Sequence, residues 1–238
     1  MNYENEHLRK SSKRTTSSWL NSLRAAVLGA NDGIVSTAGL VIGVASASSS
    51  YTAILAAGIS GIISGAISMA AGEYVSVSSQ RDTELTLIKN EKRHLVNYPT
   101  EEREELIKFY EAKGLKRETA ERVVSELPDN NAFTAHIEME FGVNPNDLVS
   151  PWRATISSAL SFFTGSLIPL SIITLSPSRY RILATFISVI ISLTVTGALS
   201  AKAGGSSKVK ASTRVVAWGI GAMIITYLIG LFIGKNGL

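Results

Sequence analysis

Cysteine is absent from the 238 residues, which excludes disulfides and thiolate metal sites and leaves the redox compartment open. Acids are nearly absent outside one segment. Fifteen of the 19 lie between Asp82 and Asp147, and the other four are Glu4, Glu6, Asp32 and Glu73. The N-terminal MNYENEHLRKSSKRTTSS has no early apolar core and no cleavage-like site, so no secretory signal is expected. No phosphate loop and no Ser/His/Asp constellation stands out. The Lys and Arg lack aromatic interleaving and the net charge of +4 is spread over loops, so no nucleic-acid partner is expected.

What remains is strongly apolar. Hydrophobic residues make up 45 % and the mean hydropathy is +0.21, high for a chain with this many charges. Segregation explains it: long stretches on either side of the acidic segment are almost free of charge, as helices embedded in lipid must be. The fold class expected is all-α, with five transmembrane helices. They fall over 25–47, from Thr52 past Tyr74 toward Arg81, from Pro151 to Leu175 with a kink at Pro169, over 182–201, and over 215–233. The last holds no charge and is close to the ~20 residues a crossing needs. The domains read as a basic tail (1–22), spans one and two (23–80), a soluble helical insertion (81–149) and spans three to five (150–238). Within the tail, Trp19, Leu20 and Leu23 suggest an amphipathic piece. The insertion continues the second span to about Leu95. Three short helices follow: one capped by Thr100 after Pro99, one over 115–127, and one over 131–141 capped by Asp129 or Asn130 and ended by Gly142.

Charge also gives orientation. Five spans put the termini on opposite sides. The residues up to Arg24, the segment 81–153 and the loop 202–214 share one side and hold 20 of the 23 Lys and Arg. That side is expected to be cytoplasmic.

Two acids interrupt the apolar spans. Asp32 lies about a third of the way along the first, where a charge costs at least ~2.5–3.5 kcal/mol and marks a functional candidate. Glu73 lies near the cytoplasmic end of the second, within reach of water. Met69, four residues earlier, shares its helix face. Gly58, Gly61, Gly65 and Gly72 let another helix approach. A soft sulfur and hard carboxylates on small-residue helices suggest a cation path. In the insertion, Glu91/His94, Glu102/Glu105 and His136/Glu140 recur at helical spacing, a donor set suited to Fe²⁺, Mn²⁺, Co²⁺ or Zn²⁺. Glu101/Glu104 has the same spacing and stays open as the alternative pair. Glu91-x-x-His94 resembles one element of ferritin-like di-iron bundles, which require a second such motif. None occurs.

LRAAVLGANDGIVS at 23–36, GAISMAAGEYVSVSSQRDTE at 65–84 and SALSFFTGSLIPL at 158–170 closely resemble the vacuolar iron transporter family, over nearly the whole chain. The resemblance implies a homodimer that exports Fe²⁺ from the cytosol in exchange for protons, its first spans lining the subunit seam. By that resemblance Asp32 is the pore aspartate and Met69 the pore methionine, while Glu91, Glu102, Glu105 and Glu140 are metal-binding glutamates. His94 stands where plant-type members carry glutamate. His136 and Ile137 replace a Met pair for which Met139 stands close enough to substitute. Gly61 falls where some members have a membrane glutamate, and Glu73 compensates.

The sequence therefore reads as a multi-pass membrane transporter and not an enzyme, with Fe²⁺ as cargo and Mn²⁺, Co²⁺ or Zn²⁺ as further candidates. Its partners are protons, the bilayer and a second copy of itself. The short polar N-terminus and compact loops favour a bacterial inner membrane over a vacuolar one. The rival readings are a membrane-tethered ferroxidase or iron store built on 81–149, and a metal-responsive scaffold without flux.

Overall fold

The computed structural model describes residues 17–236. Most of the tail expected over 1–22 lies outside the described residues, and by Ser17 the chain is helical. The helices are α1 (Ser17–Ala47), α2 (Tyr51–Asn97), α3 (Pro99–Ala112), α4 (Arg117–Glu126), α5 (Asp129–Phe141), α6 (Pro151–Leu175), α7 (Arg181–Ala203) and α8 (Lys208–Asn236). Among the described residues there is no strand. Five helices, α1, α2, α6, α7 and α8, are long and apolar enough to cross a membrane, so the protein is an integral membrane protein.

The chain forms two compact units, one of Trp19–Val75 with the chain from Pro151 onward, the other containing Ser76–Ser150. Helix α2 contributes to both. Its 47 residues extend ~70 Å at 1.5 Å per residue, more than twice the ~30 Å hydrocarbon core.

In the first unit, lipid supplies no hydrophobic drive between helices, so association depends on close packing of small residues. Gly29 and Gly33, one turn apart on α1, lie against the backbone carbonyls of Ser158 and Phe162 on α6, and Gly165 of α6 lies against the Ala30 carbonyl. A Cβ at any of these positions would run into backbone. Ser166 Oγ donates to the Gly33 carbonyl at 3.1 Å inside the same contact. On the other side of α1, Ile34, Ala38, Val41 and Ile42 are buried with Ile54, Ile62, Ile173, Leu193 and Met223. These contacts fix the rotation of α1 and leave the row Leu28–Asp32–Ser36 on a separate face.

In the second unit, Leu106 and Ile107 of α3 pack on Ala120 and Val124 of α4, with Met139 of α5 against them. Arg81 Nη1 donates to the Val149 carbonyl at 2.9 Å, tying the ends of the segment together. The starts of α3 and α5 differ from expectation by a residue or two because proline sets them. Pro99 occupies the first turn of α3 with Tyr98 as N-cap, where its fixed φ and missing N–H cost nothing. Pro128 is likewise the N-cap of α5, so Asp129 begins the helix rather than capping it. Gly142 takes the left-handed conformation (φ +65°) and its N–H donates to the Glu138 carbonyl, closing α5 as expected. The loop expected over 202–214 shrinks to 204–207, because α8 starts at Lys208.

Candidate metal path and metal-binding group

Within the membrane unit, a groove of about 560 Å³ runs between α1 and α2. Leu28, Asp32, Ser36 and Leu40 line it from α1 at intervals of one turn, and Gly61, Ser64, Ser68, Met69 and Glu73 line it from α2. Asp32 and Met69 thus line one groove. The Asn31 and Asp32 side chains diverge: Asn31 Oδ1 accepts from Thr196 Oγ1 at 2.6 Å, while Asp32 is exposed toward the groove. Gly61 lines the same groove with the Leu40 side chain against it.

Glu73 is largely buried. It is only 9 % exposed, and Arg24 Nη2 lies 3.0 Å from its Oε1. Arg24 also donates to Asn21 Oδ1, which steadies the guanidinium. This pair sets the register of the antiparallel α1 and α2. Eight residues beyond Arg24 is Asp32, and eight before Glu73 is Gly65, so Asp32 sits level with Gly65 and ~12 Å from the Arg24–Glu73 pair along the axis. Thr37 was not singled out from sequence. It is buried, lines the groove, and its Oγ1 has no hydrogen-bond partner. Threonine in a helix ordinarily bonds the carbonyl a turn back, so nothing in the sequence marks this hydroxyl as free.

The second unit brings together Glu91 of α2, Glu102 of α3 and His136 of α5, 3 %, 6 % and 2 % exposed. Their ligand atoms lie within 4.8 Å of one another. His136 Nδ1 is 3.6 Å from both Glu91 Oε1 and Glu102 Oε2, too far for hydrogen bonds. Glu91 Oε1 and His136 Nδ1 are buried without any hydrogen-bond partner. Such orphaned polar atoms are costly, and a cation among the three would satisfy them. Two carboxylate oxygens and an imidazole nitrogen are suitable donors for a divalent first-row metal. Burial, reinforced by the neighbouring Glu102 and Glu140, pushes the Glu91 carboxyl up to about 7. Glu91 lies in the polar extension of α2, past the apolar stretch.

The remaining expected ligands are more peripheral. His94 Nδ1 is 3.7 Å from Glu102 Oε1 but the ring is 61 % exposed, and Glu140 is exposed beside Glu91 in a cleft with His94. Glu105 is exposed and stands outside the three-residue group. Three residues turn a helix through about 300°, leaving the i+3 partner about 60° off the buried row. From Glu102 the buried row continues through Leu106 instead. Met139 packs against the Leu106 cluster and is not in the group. The alternative pair separates as well. Glu101 is exposed, and Glu104 is held by Arg117, whose Nη1 lies 2.8 Å and Nη2 2.9 Å from its two oxygens. That hydrogen bonding holds the Glu104 carboxyl below the ordinary carboxylate range. Glu102 is therefore the α3 carboxylate facing Glu91 and His136.

The profile of the VIT family matches residues 23–231. A protein of Acanthamoeba castellanii named vacuolar iron transporter is 37 % identical over 216 residues, 90 % of this chain and 78 % of its own length. Vacuolar iron transporter homolog 2.1 of Arabidopsis thaliana is 34 % identical over 217 residues, 91 % and 83 % of the two chains. VIT-like transporter 1b of Glycine max is 32 % identical over 217 residues, 91 % and 78 %.

Proposed function

This chain belongs to the VIT family, and on that premise we propose that it exports Fe²⁺ from the cytosol across the membrane in exchange for protons. The observation that carries the reading is the groove where Asp32, Met69 and Glu73 line one path between two membrane helices. Asp32 supplies a hard anion, and the Met69 thioether favours first-row transition ions over Mg²⁺ and Ca²⁺. Mn²⁺, Co²⁺ and Zn²⁺ are secondary cargoes on the same chemistry. Asp32 gives up a proton to bind the ion and regains one after release, which couples the two flows.

Asp32 is exposed on the single chain. A carboxylate facing hydrocarbon costs at least ~2.5–3.5 kcal/mol, so a second copy closes the groove and the path runs along a subunit seam. The Glu91–Glu102–His136 group collects ions from the cytosol. The Lys/Arg asymmetry puts the 76–150 unit on that side, and the compact loops suit a bacterial inner membrane. An iron store or oxidase built on this unit would need a second ligand group beside the first. Among the described residues the three-residue group stands alone.

The test is Fe²⁺ flux in proteoliposomes with and without a pH gradient. The reading requires metal-dependent flux that the gradient drives and that Asp32→Ala abolishes. Equal flux in the variant, or none in the parent, overturns it.

A further inference from the structure

The chain contains no Asp or Glu after Asp147, yet eight Lys and Arg follow. The membrane unit as a whole has only Asp32 and Glu73 as acids, and Glu73 is already matched by Arg24. Lys202, Lys208, Lys210 and Arg214 gather at the α7–α8 turn. All four are exposed, and none pairs with a carboxylate among the described residues. Uncompensated cations concentrated at one end of a membrane hairpin call for an external anion.

The same hairpin carries a groove of about 610 Å³ that begins at Lys208. Its walls are apolar, formed by Ala198 of α7 and by Val209, Val216, Ala217 and Ile220 of α8. The hydroxyls along it have spent their protons on backbone. Thr194 Oγ1 donates to Ile190, Ser212 Oγ to Thr194 and Thr213 Oγ1 to Val209. At its charged end the groove thus offers the Lys208 ammonium without a free hydroxyl donor, with Lys202, Lys210 and Arg214 on the same turn. That selects a phosphate over a sugar or a neutral head. Beyond it lies an apolar channel fit for an acyl chain.

We propose that the α7–α8 groove is a binding site for an anionic phospholipid, its phosphate at Lys208 within the field of Lys202, Lys210 and Arg214, and one acyl chain along Val209, Val216 and Ile220. Charge complementarity and the apolar walls together identify the occupant. Neither a zwitterionic lipid nor a free phosphate ion uses both.

The full chain in a non-ionic detergent is titrated with phosphatidylglycerol, with phosphatidylcholine of the same acyl chains, and with glycerol phosphate, and bound molecules are counted by native mass spectrometry. Phosphatidylglycerol is expected to be retained and the other two lost. Each cation beside an anionic surface is worth about fivefold, so Lys208→Gln with Lys210→Gln and Arg214→Gln weakens retention roughly a hundredfold. Ala217→Trp, which fills the groove and keeps every charge, also abolishes retention, while Lys235→Gln at the far end of α8 leaves it unchanged. Equal retention of the two lipids, glycerol phosphate bound as well as the lipid, or full affinity in either the triple variant or Ala217→Trp overturns the proposal.

Discussion

Arg24 and Glu73, 49 residues apart in the chain, meet across α1 and α2 with Nη2 and Oε1 3.0 Å apart. The carboxylate is buried and the guanidinium largely exposed, so the protein's own cation sits at one end of the groove that also holds Asp32 and Met69. A cargo ion reaching Glu73 must displace or share this partner. Removing it with Arg24→Gln bares a negative charge in the path. The apparent KM for Fe²⁺ in proteoliposomes is expected to fall by up to about fivefold, the worth of a largely exposed ion pair, with slower maximal flux as the ion leaves less readily. An unchanged KM would show that Glu73 lies off the route.

Met69 tests selectivity apart from conduction. Met69→Leu keeps the apolar volume and removes the sulfur, so the groove retains its shape and its Asp32 charge. Transport of Fe²⁺ relative to the harder Mn²⁺ is expected to drop several-fold while total flux persists. A competition assay with both ions at equal concentration reads the ratio, and a ratio that does not move removes the thioether from the selectivity argument.

Much of the architecture can be read from charge alone. The cost of charge in hydrocarbon forces the spans to be nearly uncharged, and they are, which is why five membrane helices are visible from composition along the chain. Helix ends marked by Pro151 or Gly142 follow from local backbone rules. Pairings between helices do not. The Arg24–Glu73 contact depends on how far α1 is shifted against α2, and nothing local to either residue records that shift. The same limit applies in the insertion. Spacing puts Glu102 and Glu105 on one broad face, but only packing around Leu106 decides which is inside. Asn31 turns toward Thr196 and Asp32 toward the groove because Gly29 and Gly33 lock the rotation of α1 against α6.

Glu102 and Glu105 therefore separate experimentally. Glu102 lies beside His136 and Glu91, and Glu105 is on the rim. Glu102→Gln removes a donor and is expected to weaken Mn²⁺ binding to the full chain by at least the ~10–100-fold that loss of an outer-shell partner costs, and Glu105→Gln by about threefold or less. Electron paramagnetic resonance of bound Mn²⁺ measures both. Similar losses in the two variants would move the site outward toward solvent.

The last prediction concerns pH. In the metal-free fold, burial and the nearby Glu102 and Glu140 raise the Glu91 carboxyl to about 7 from an ordinary value of 4.5. Between those values the folded chain keeps a proton that the unfolded chain has released. Rising pH across this window therefore works against the metal-free fold, and whatever stability the protonated form lends is fully present below 4.5 and gone above about 7. A bound divalent ion reverses the sign, since it needs the carboxylate and expels the proton. Without metal the unfolding midpoint should be lower at about pH 8 than at about pH 5; with saturating Mn²⁺ the gain on binding should be larger at the higher pH. Glu91→Gln, which cannot titrate, should flatten the first dependence and most of the second. If the metal-free protein instead gains stability as pH rises through this window, and Glu91→Gln leaves that gain intact, the pH dependence belongs to other groups and the Glu91 carboxyl is not raised in the fold.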